Sequence, residues 1–317
     1  MRKALLIAAE VDPRLARLLA ADGRFEVRVQ PARSEAELAA IVGGAHIVVT
    51  RAYNRVSREV IEAGTNLELI AQATSGIDNI DQEAARERGV AICNLPGENA
   101  NAVAELVIGF ILALTRTVPF YTRQVAAGGW PRHDCATRHE MRHYRLGIAG
   151  LGEVGRRVAR LASAFGMEPR AYDPYLTGAD FEERGAARLH TLEDLLDGSD
   201  IVTLHVPLTA QTRRMIDASA IHRMRRGTIL INVARGEVID QPAALEALRA
   251  GHLGGLALDV LEQEPPPSPL PDDPRLILTP HIGGCTHECR SALAEKLFAR
   301  ISEFYDRPPS PRPEGRP

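Results

Sequence analysis

The segment RLGIAGLGEVGRRVARLASAFGMEPRAYDPY, residues 145–175, decides the fold class of this chain. Gly150, Gly152 and Gly155 form G-x-G-x-x-G between a short apolar run, LGIAG, and the helix-like VGRRVARLASAF. The first glycine suits a tight turn, the second lets the backbone approach a pyrophosphate, and the third lets the helix lie close to the strand. A helix starting there aims free N–H groups and the positive end of its dipole at the phosphates. Glu153 and Val154 sit inside this loop and are expected to touch the cofactor with the glycines. Three glycines alone are a weak signal, but Asp173 closes the next strand-like run, MEPRAY. A carboxylate there accepts hydrogen bonds from ribose hydroxyls and repels a 2′-phosphate, so NAD is expected rather than NADP.

The same alternation extends in both directions. KALLIAA, FEVRV, HIVVT, LELIAQA and VAICN precede the glycine loop, each followed by a helix-like or polar stretch. LGIAG, MEPRAY, DIVTLHV, TILINVA, GLALDV and LILT make a second series. Buried runs separated by helices imply parallel sheets with right-handed crossovers. About five and about six strands imply two doubly wound α/β units. The first boundary falls around NLPGENAN, residues 94–101, where Pro and Gly interrupt the pattern. Residues 286–304 read as one helix with Leu293, Leu297 and Ile301 on its apolar face. One helix cannot form a domain, so it is expected to return to the N-terminal unit. The domains are then 1–99 plus 286–317, and 100–285. The Pro-rich tail, DRPPSPRPEGRP, lacks apolar anchors and is expected to be disordered.

Composition narrows the function classes. A chain of 317 residues with 45% hydrophobic and 25% charged residues has the make-up of a globular protein. Its net charge of -3 is too mild to suggest a nucleic-acid or membrane-surface partner. Cysteines at 93, 135, 285 and 289 are too sparse for a disulfide framework, which points to the reducing cytoplasm. MRKALLIAAEVDP at the start reads as a first buried strand rather than a signal peptide, because the apolar run stops at Glu10 without a cleavage site. VAELVIGFILAL, residues 103–114, is too short to span a bilayer and is expected to be a helix buried between domains.

Three polar residues close strand-like runs of the second series: Arg235 after TILINVA, Glu264 after GLALDVLEQ, and His281 after LILTP. Doubly wound sheets place their ligands at such strand ends. Each residue taken singly also suits a surface ion pair, a solvated carboxylate or a satisfied histidine. The stretch LTPHIGGCTHEC, residues 278–289, adds a rival, since His281, Cys285, His287 and Cys289 could be metal ligands. Neither cysteine belongs to a paired C-x-x-C, so no metal is expected.

SGIDNID, NANAVAELV, GLGEVG, AYDPY, HVPLT, NVARGEVID, ALDVLEQEP and TPHIGG occur in this order along almost the whole chain. In them the sequence resembles the D-isomer-specific 2-hydroxyacid dehydrogenases, the family of phosphoglycerate, glycerate and D-lactate dehydrogenases. The resemblance implies a flavodoxin-like substrate-binding domain, a Rossmann NAD-binding domain and a cleft between them. It places the catalytic set on Arg235, His281 and Glu264, the last rather than Glu262 because the family's glutamate directly precedes proline. His281 would act as general acid towards a 2-keto acid and as base towards a D-2-hydroxy acid, oriented by Glu264. Arg235 would hold the substrate carboxylate and polarise its carbonyl, with the backbone N–H groups of Ser75 and Gly76 on the other side. Asp259 and the Val233–Ala234 backbone would hold the nicotinamide carboxamide, and Ser75, Val206 and Gly283 would also touch NAD. A homodimer through the NAD-binding domain, using the VAELVIGFILAL region, is implied as well.

The chain also departs from the family. Gln72 stands where phosphoglycerate-oxidising members usually carry a basic residue, although Arg51 and Arg55 could still meet a phosphate. No regulatory extension like that of many phosphoglycerate enzymes is expected, and CATRHEMRHYR replaces the usual lead-in to the glycine loop. Two rivals share the resemblance. A formate dehydrogenase would pair its histidine with glutamine, which Glu264 opposes. An NAD(H)-sensing corepressor would keep the same residues.

Overall fold

A computed structural model describes residues 2–132 and 139–306 and divides into two compact units. One is Met1–Asn99 with Cys285–Pro317, and the other is Ala100–Gly284. The tail expected to be disordered, from residue 307 on, lies outside the described residues, as do Cys135 and the start of the CATRHEMRHYR stretch.

The first unit holds five parallel strands: β1 (Lys3–Ile7), β2 (Phe25–Val29), β3 (Ile47–Thr50), β4 (Leu69–Gln72) and β5 (Ala91–Cys93), in the order β2-β1-β3-β4-β5. This is the flavodoxin-like order. Every residue of β3 and β4 is buried, as expected of a parallel sheet with both faces covered. Helices begin where the sequence offers a side-chain acceptor for the free N–H groups of a first turn. Asp12, Ser34 and Asp81 cap Pro13–Ala21, Glu35–Val42 and Gln82–Glu87 in this way. The returning helix, His287–Asp306, buries Leu293, Leu297 and Ile301 against this unit. Exposed ion pairs such as Arg14–Glu295 (2.5 Å) and Arg24–Asp306 (2.6 Å) add little to that apolar contact.

The second unit holds seven parallel strands: β6 (Leu146–Ala149), β7 (Arg170–Tyr172), β8 (Ala187–Arg188), β9 (Ile201–Leu204), β10 (Thr228–Asn232), β11 (Leu253–Leu258) and β12 (Leu276–Leu278). Their order is β12-β11-β10-β9-β6-β7-β8, so the chain reverses direction across the sheet at β6. β8 is one strand more than the hydrophobic pattern implied. It has two residues, both exposed, at the sheet edge, and so leaves no apolar run to read.

The helix Ala100–Thr115 buries Val103, Ala104, Val107, Ile108, Phe110, Ile111 and Leu114 in the core of this unit. Those side chains are therefore not free to line a dimer interface. The exposed apolar residues nearby are Val118 and Val125, on the helix Val118–Ala126, and Trp130. No single helix among the described residues is long and apolar enough to cross a membrane.

Candidate active site

The glycine loop leaves the C-terminal end of β6, at the point where the strand order reverses. Gly150 has φ +87°, and a Cβ there would sit 2.8 Å from the His205 carbonyl oxygen. A Cβ on Gly155 would overlap the Gly150 carbonyl, so helix and strand approach as closely as backbone allows. The helix Glu153–Ala164 starts at Gly152 with no side-chain cap, which leaves first-turn N–H groups for a ligand. The Glu153 carboxylate turns along its own helix, 2.7 Å from both Arg156 and Arg157. Hydrogen bonds from Arg156 and then Arg157 pull its pKa to about 2. Asp173 follows β7 and accepts the N–H groups of Leu151 and Tyr175, each at 3.0 Å, which ties it to the loop. Val206 covers the loop beside Gly150, and Val154 packs on the unit's core. A backbone cradle that a Cβ would fill, an uncapped helix and a fixed carboxylate beyond the next strand together fit a dinucleotide.

His205, in the HVPLT motif, is half-buried against the same loop and escaped the sequence reading. Its Nε2 lies 3.0 Å from Thr203 Oγ1, and its Nδ1 has no hydrogen-bond partner among the described residues. Burial pushes its pKa down to about 3. The unfolded chain therefore takes up a proton near pH 6.5 that the folded protein refuses until about pH 3. Stability contributed by neutral His205 is complete above that unfolded value and falls as pH drops towards 3. His205→Phe should flatten the fall in the denaturation midpoint between about pH 6.5 and 5, above the carboxylate range. An unchanged slope would contradict this assignment.

Arg235, Glu264 and His281 come together at the C-terminal edge of the same sheet. His281 Nδ1 stands 2.8 Å from Glu264 Oε2, while Glu264 Oε1 accepts the Leu261 N–H at 3.0 Å. Burial alone would raise the Glu264 pKa. The His281 hydrogen bond and charge, the Leu261 N–H and Arg235 outweigh it and hold the carboxyl below its usual range. An ionised Glu264 can only accept, so His281 Nδ1 carries the hydrogen and Nε2 points elsewhere. The Glu262 carboxylate instead faces the Gln241 N–H and Arg214.

The turn bearing His281 is held from below. His281 has φ +55°, a left-handed conformation that a side chain adopts only when neighbours enforce it. Asp259, 2% exposed, enforces it by accepting from Thr279 Oγ1 (2.6 Å), Ile282 N (2.8 Å) and Gly283 N (2.9 Å). Asn232 does the same for the Arg235 turn: its Oδ1 accepts from Ala234 N (3.0 Å), and its Nδ2 donates to Arg235 O (2.8 Å). The Arg235 guanidinium donates to Ala234 O at 2.7 Å. A Cβ on Gly236 would overlap the Leu261 backbone, so only glycine lets the Arg235 and Glu264 loops pack this closely.

Ser75 and Gly76 lie in the other unit, in the loop after β4. The Ser75 hydroxyl donates towards Asn99 Oδ1 (2.8 Å) and Leu95 O (3.0 Å). Gln72 is fully buried, and its amide is spent on Thr50, Gly76 and Asn79. Arg55 is exposed and paired with Glu35 at 3.3 Å, while Arg51 lines a small cavity with Asp12 and Arg290.

Residues 108–283 match the model of the D-isomer specific 2-hydroxyacid dehydrogenase NAD binding domain. The chain belongs to this family. NAD is the cofactor of the matched domain. The chain is 39% identical over 279 residues to a D-3-phosphoglycerate dehydrogenase of Methanocaldococcus jannaschii, covering 88% of this chain and 53% of that one. It thus spans about half the length of that relative. It is 37% identical to a hydroxypyruvate reductase of Thermotoga maritima, covering 84% and 88% of the two chains. Its fold is similar to that of D-lactate dehydrogenase from Aquifex aeolicus, solved with NAD and lactic acid, at 26% identity, TM-score 0.86 and 96% and 95% coverage.

The histidine–cysteine stretch divides in this chain. His281 pairs with Glu264, whereas Cys289 is buried at the start of the returning helix and Cys285 is exposed. No group of three or more His, Cys, Asp or Glu residues among the described residues is arranged to hold a metal ion.

Proposed function

We propose that this chain transfers a hydride between NAD(H) and a short D-2-hydroxy acid/2-keto acid pair. The observation that carries the reading is the 2.8 Å His281–Glu264 pair on the sheet edge that also bears the glycine loop. When bound, the nicotinamide supplies or accepts the hydride. As hydride reaches the keto carbon, negative charge grows on the carbonyl oxygen, and His281 Nε2 delivers a proton to it. Ionised Glu264 keeps the ring oriented by accepting from its Nδ1. Arg235 binds the carboxylate and carbonyl oxygen through charge-assisted hydrogen bonds. The Ser75 and Gly76 N–H groups are assigned to the substrate carboxylate as well. Gly150, Gly152, Glu153, Val154 and Gly155 hold the pyrophosphate by their backbone, and Asp173 holds the adenosine ribose. Ser75, Val206, Val233, Ala234, Asp259 and Gly283 are assigned to the nicotinamide end.

An unphosphorylated acid is favoured, because the buried and fully bonded Gln72 offers nothing to a phosphate. Domain roles follow: 1–99 plus 286–317 binds substrate, and 100–285 binds NAD. Exposed Val118, Val125 and Trp130 favour a homodimer through the NAD-binding unit. Free thiols at Cys93 and Cys289 favour the reducing cytoplasm.

The test is a panel of glyoxylate, hydroxypyruvate, pyruvate, phenylpyruvate and phosphohydroxypyruvate with NADH and with NADPH. NADH oxidation with at least one acid is expected, with NADPH a much poorer donor because of Asp173. No oxidation with any acid would remove the enzymatic reading and leave NAD(H) sensing.

A further inference from the structure

Three consecutive carbonyl oxygens in the loop after β4 are each taken by a donor from the same unit. Leu95 N donates to Thr74 O at 3.1 Å, Asn94 Nδ2 to Ser75 O at 2.6 Å, and Gln72 Nε2 to Gly76 O at 3.1 Å. In a trans peptide the N–H points opposite to the C=O of the same plane. Drawing these carbonyls inward therefore turns the N–H groups of Ser75, Gly76 and Ile77 outward together. No acceptor among the described residues takes any of the three. Successive N–H groups facing one way form a concave site for an anion.

We infer that Gln72 and Asn94 are positioning residues that hold this loop as the cradle for the substrate carboxylate. The inference rests on the functional reading above, which assigns Ser75 and Gly76 to that carboxylate. Gln72 is placed to do this because its amide is locked on every side. Its Oε1 accepts from buried Thr50 Oγ1 at 2.6 Å, and Nε2 also donates to Asn79 Oδ1 at 2.8 Å. Asn79 Nδ2 in turn donates to Arg51 O (3.1 Å) and Asn54 O (2.7 Å), and Asn54 Nδ2 donates to Ala8 O and Ala32 O. The relay ties the loop to the chain leaving β1, β2 and β3. Each amide has one workable orientation, so the loop carbonyls have one as well.

The chemistry calls for amides at both positions. A carboxylate at residue 72 would face the Gly76 carbonyl and Asn79 Oδ1 without a proton to offer. A carboxylate at residue 94 would face the Ser75 carbonyl in the same way. Gln72→Glu and Asn94→Asp keep the shape and remove the donor.

The experiment measures kcat and KM for the best 2-keto acid of the panel in both variants, across pH, with thermal unfolding as the folding control. KM for the acid should rise about tenfold, the effect of one lost buried donor. KM for NADH and kcat should stay near wild type. In Gln72→Glu the acceptor-rich pocket favours the neutral acid, whose O–H restores a donor, so KM should fall back towards wild type as pH is lowered. A purely structural defect would lower the amount of active enzyme without this pH-dependent KM. If Gln72→Glu does not fold, Asn94→Asp, at a half-buried position, decides the matter. A folded variant with wild-type KM overturns the inference while the functional reading stands. A wild-type protein inactive on every acid overturns both.

Discussion

His281→Ala should lower the rate of 2-keto acid reduction by about a thousandfold while NADH still binds. In the proposed function the imidazole is the proton donor. Its Nδ1 is held by Glu264 at 2.8 Å, which leaves Nε2 to carry the transferable proton. Glu264 cannot take over, since its carboxyl is held below its usual range and already accepts the Leu261 N–H. The Asp259 carboxylate fixes the turn from beneath and survives the substitution, so the lost term is chemical rather than architectural. Steady-state turnover together with a fluorescence titration of NADH separates the two. Wild-type turnover in the alanine variant would remove His281 from the proton path.

Arg235→Lys should cost roughly a hundredfold in kcat/KM although the positive charge is kept. A guanidinium can present two parallel N–H groups to a carboxylate and a carbonyl oxygen, and an ammonium cannot. Arg235 follows a turn whose carbonyl is clamped by Asn232, next to the Gly236 contact with the Leu261 backbone, so its origin is fixed. Arg235→Ala should lose more, because the growing charge on the substrate oxygen is then unanswered. A loss of only a few-fold in Arg235→Lys would show that charge suffices and that the fork geometry plays no part.

The cofactor loop was legible because glycines at that spacing, followed by Asp173 after one more strand, suit a dinucleotide and little else. Arg235, Glu264 and His281 stood out as polar residues after strand-like runs of the second series. The two-unit architecture followed from the same alternation, and β8 escaped because two exposed residues carry no hydrophobic signal. The supporting shell was not legible. Asn232 ends an otherwise apolar strand, a signal that was available, but its two hydrogen bonds depend on a turn no pattern describes. Gln72 could be read only as a departure from family relatives. Its role in a chain of amides depends on contacts among β4, the following loop and residues far away in sequence. Asp259 was assigned from resemblance to the nicotinamide. Its visible bonds serve the His281 turn. The VAELVIGFILAL helix was recognised, but which partner its apolar face meets depends on packing that composition does not specify.

Hydride transfer itself can be followed directly by incubating the protein with hydroxypyruvate and NADH carrying deuterium at nicotinamide C4, then analysing the product on a chiral column with mass detection. The expected product is the D-2-hydroxy acid with deuterium at C2. Label absent from C2, or present only in the L-enantiomer, would contradict the assignment of this site as a D-specific 2-hydroxyacid dehydrogenase.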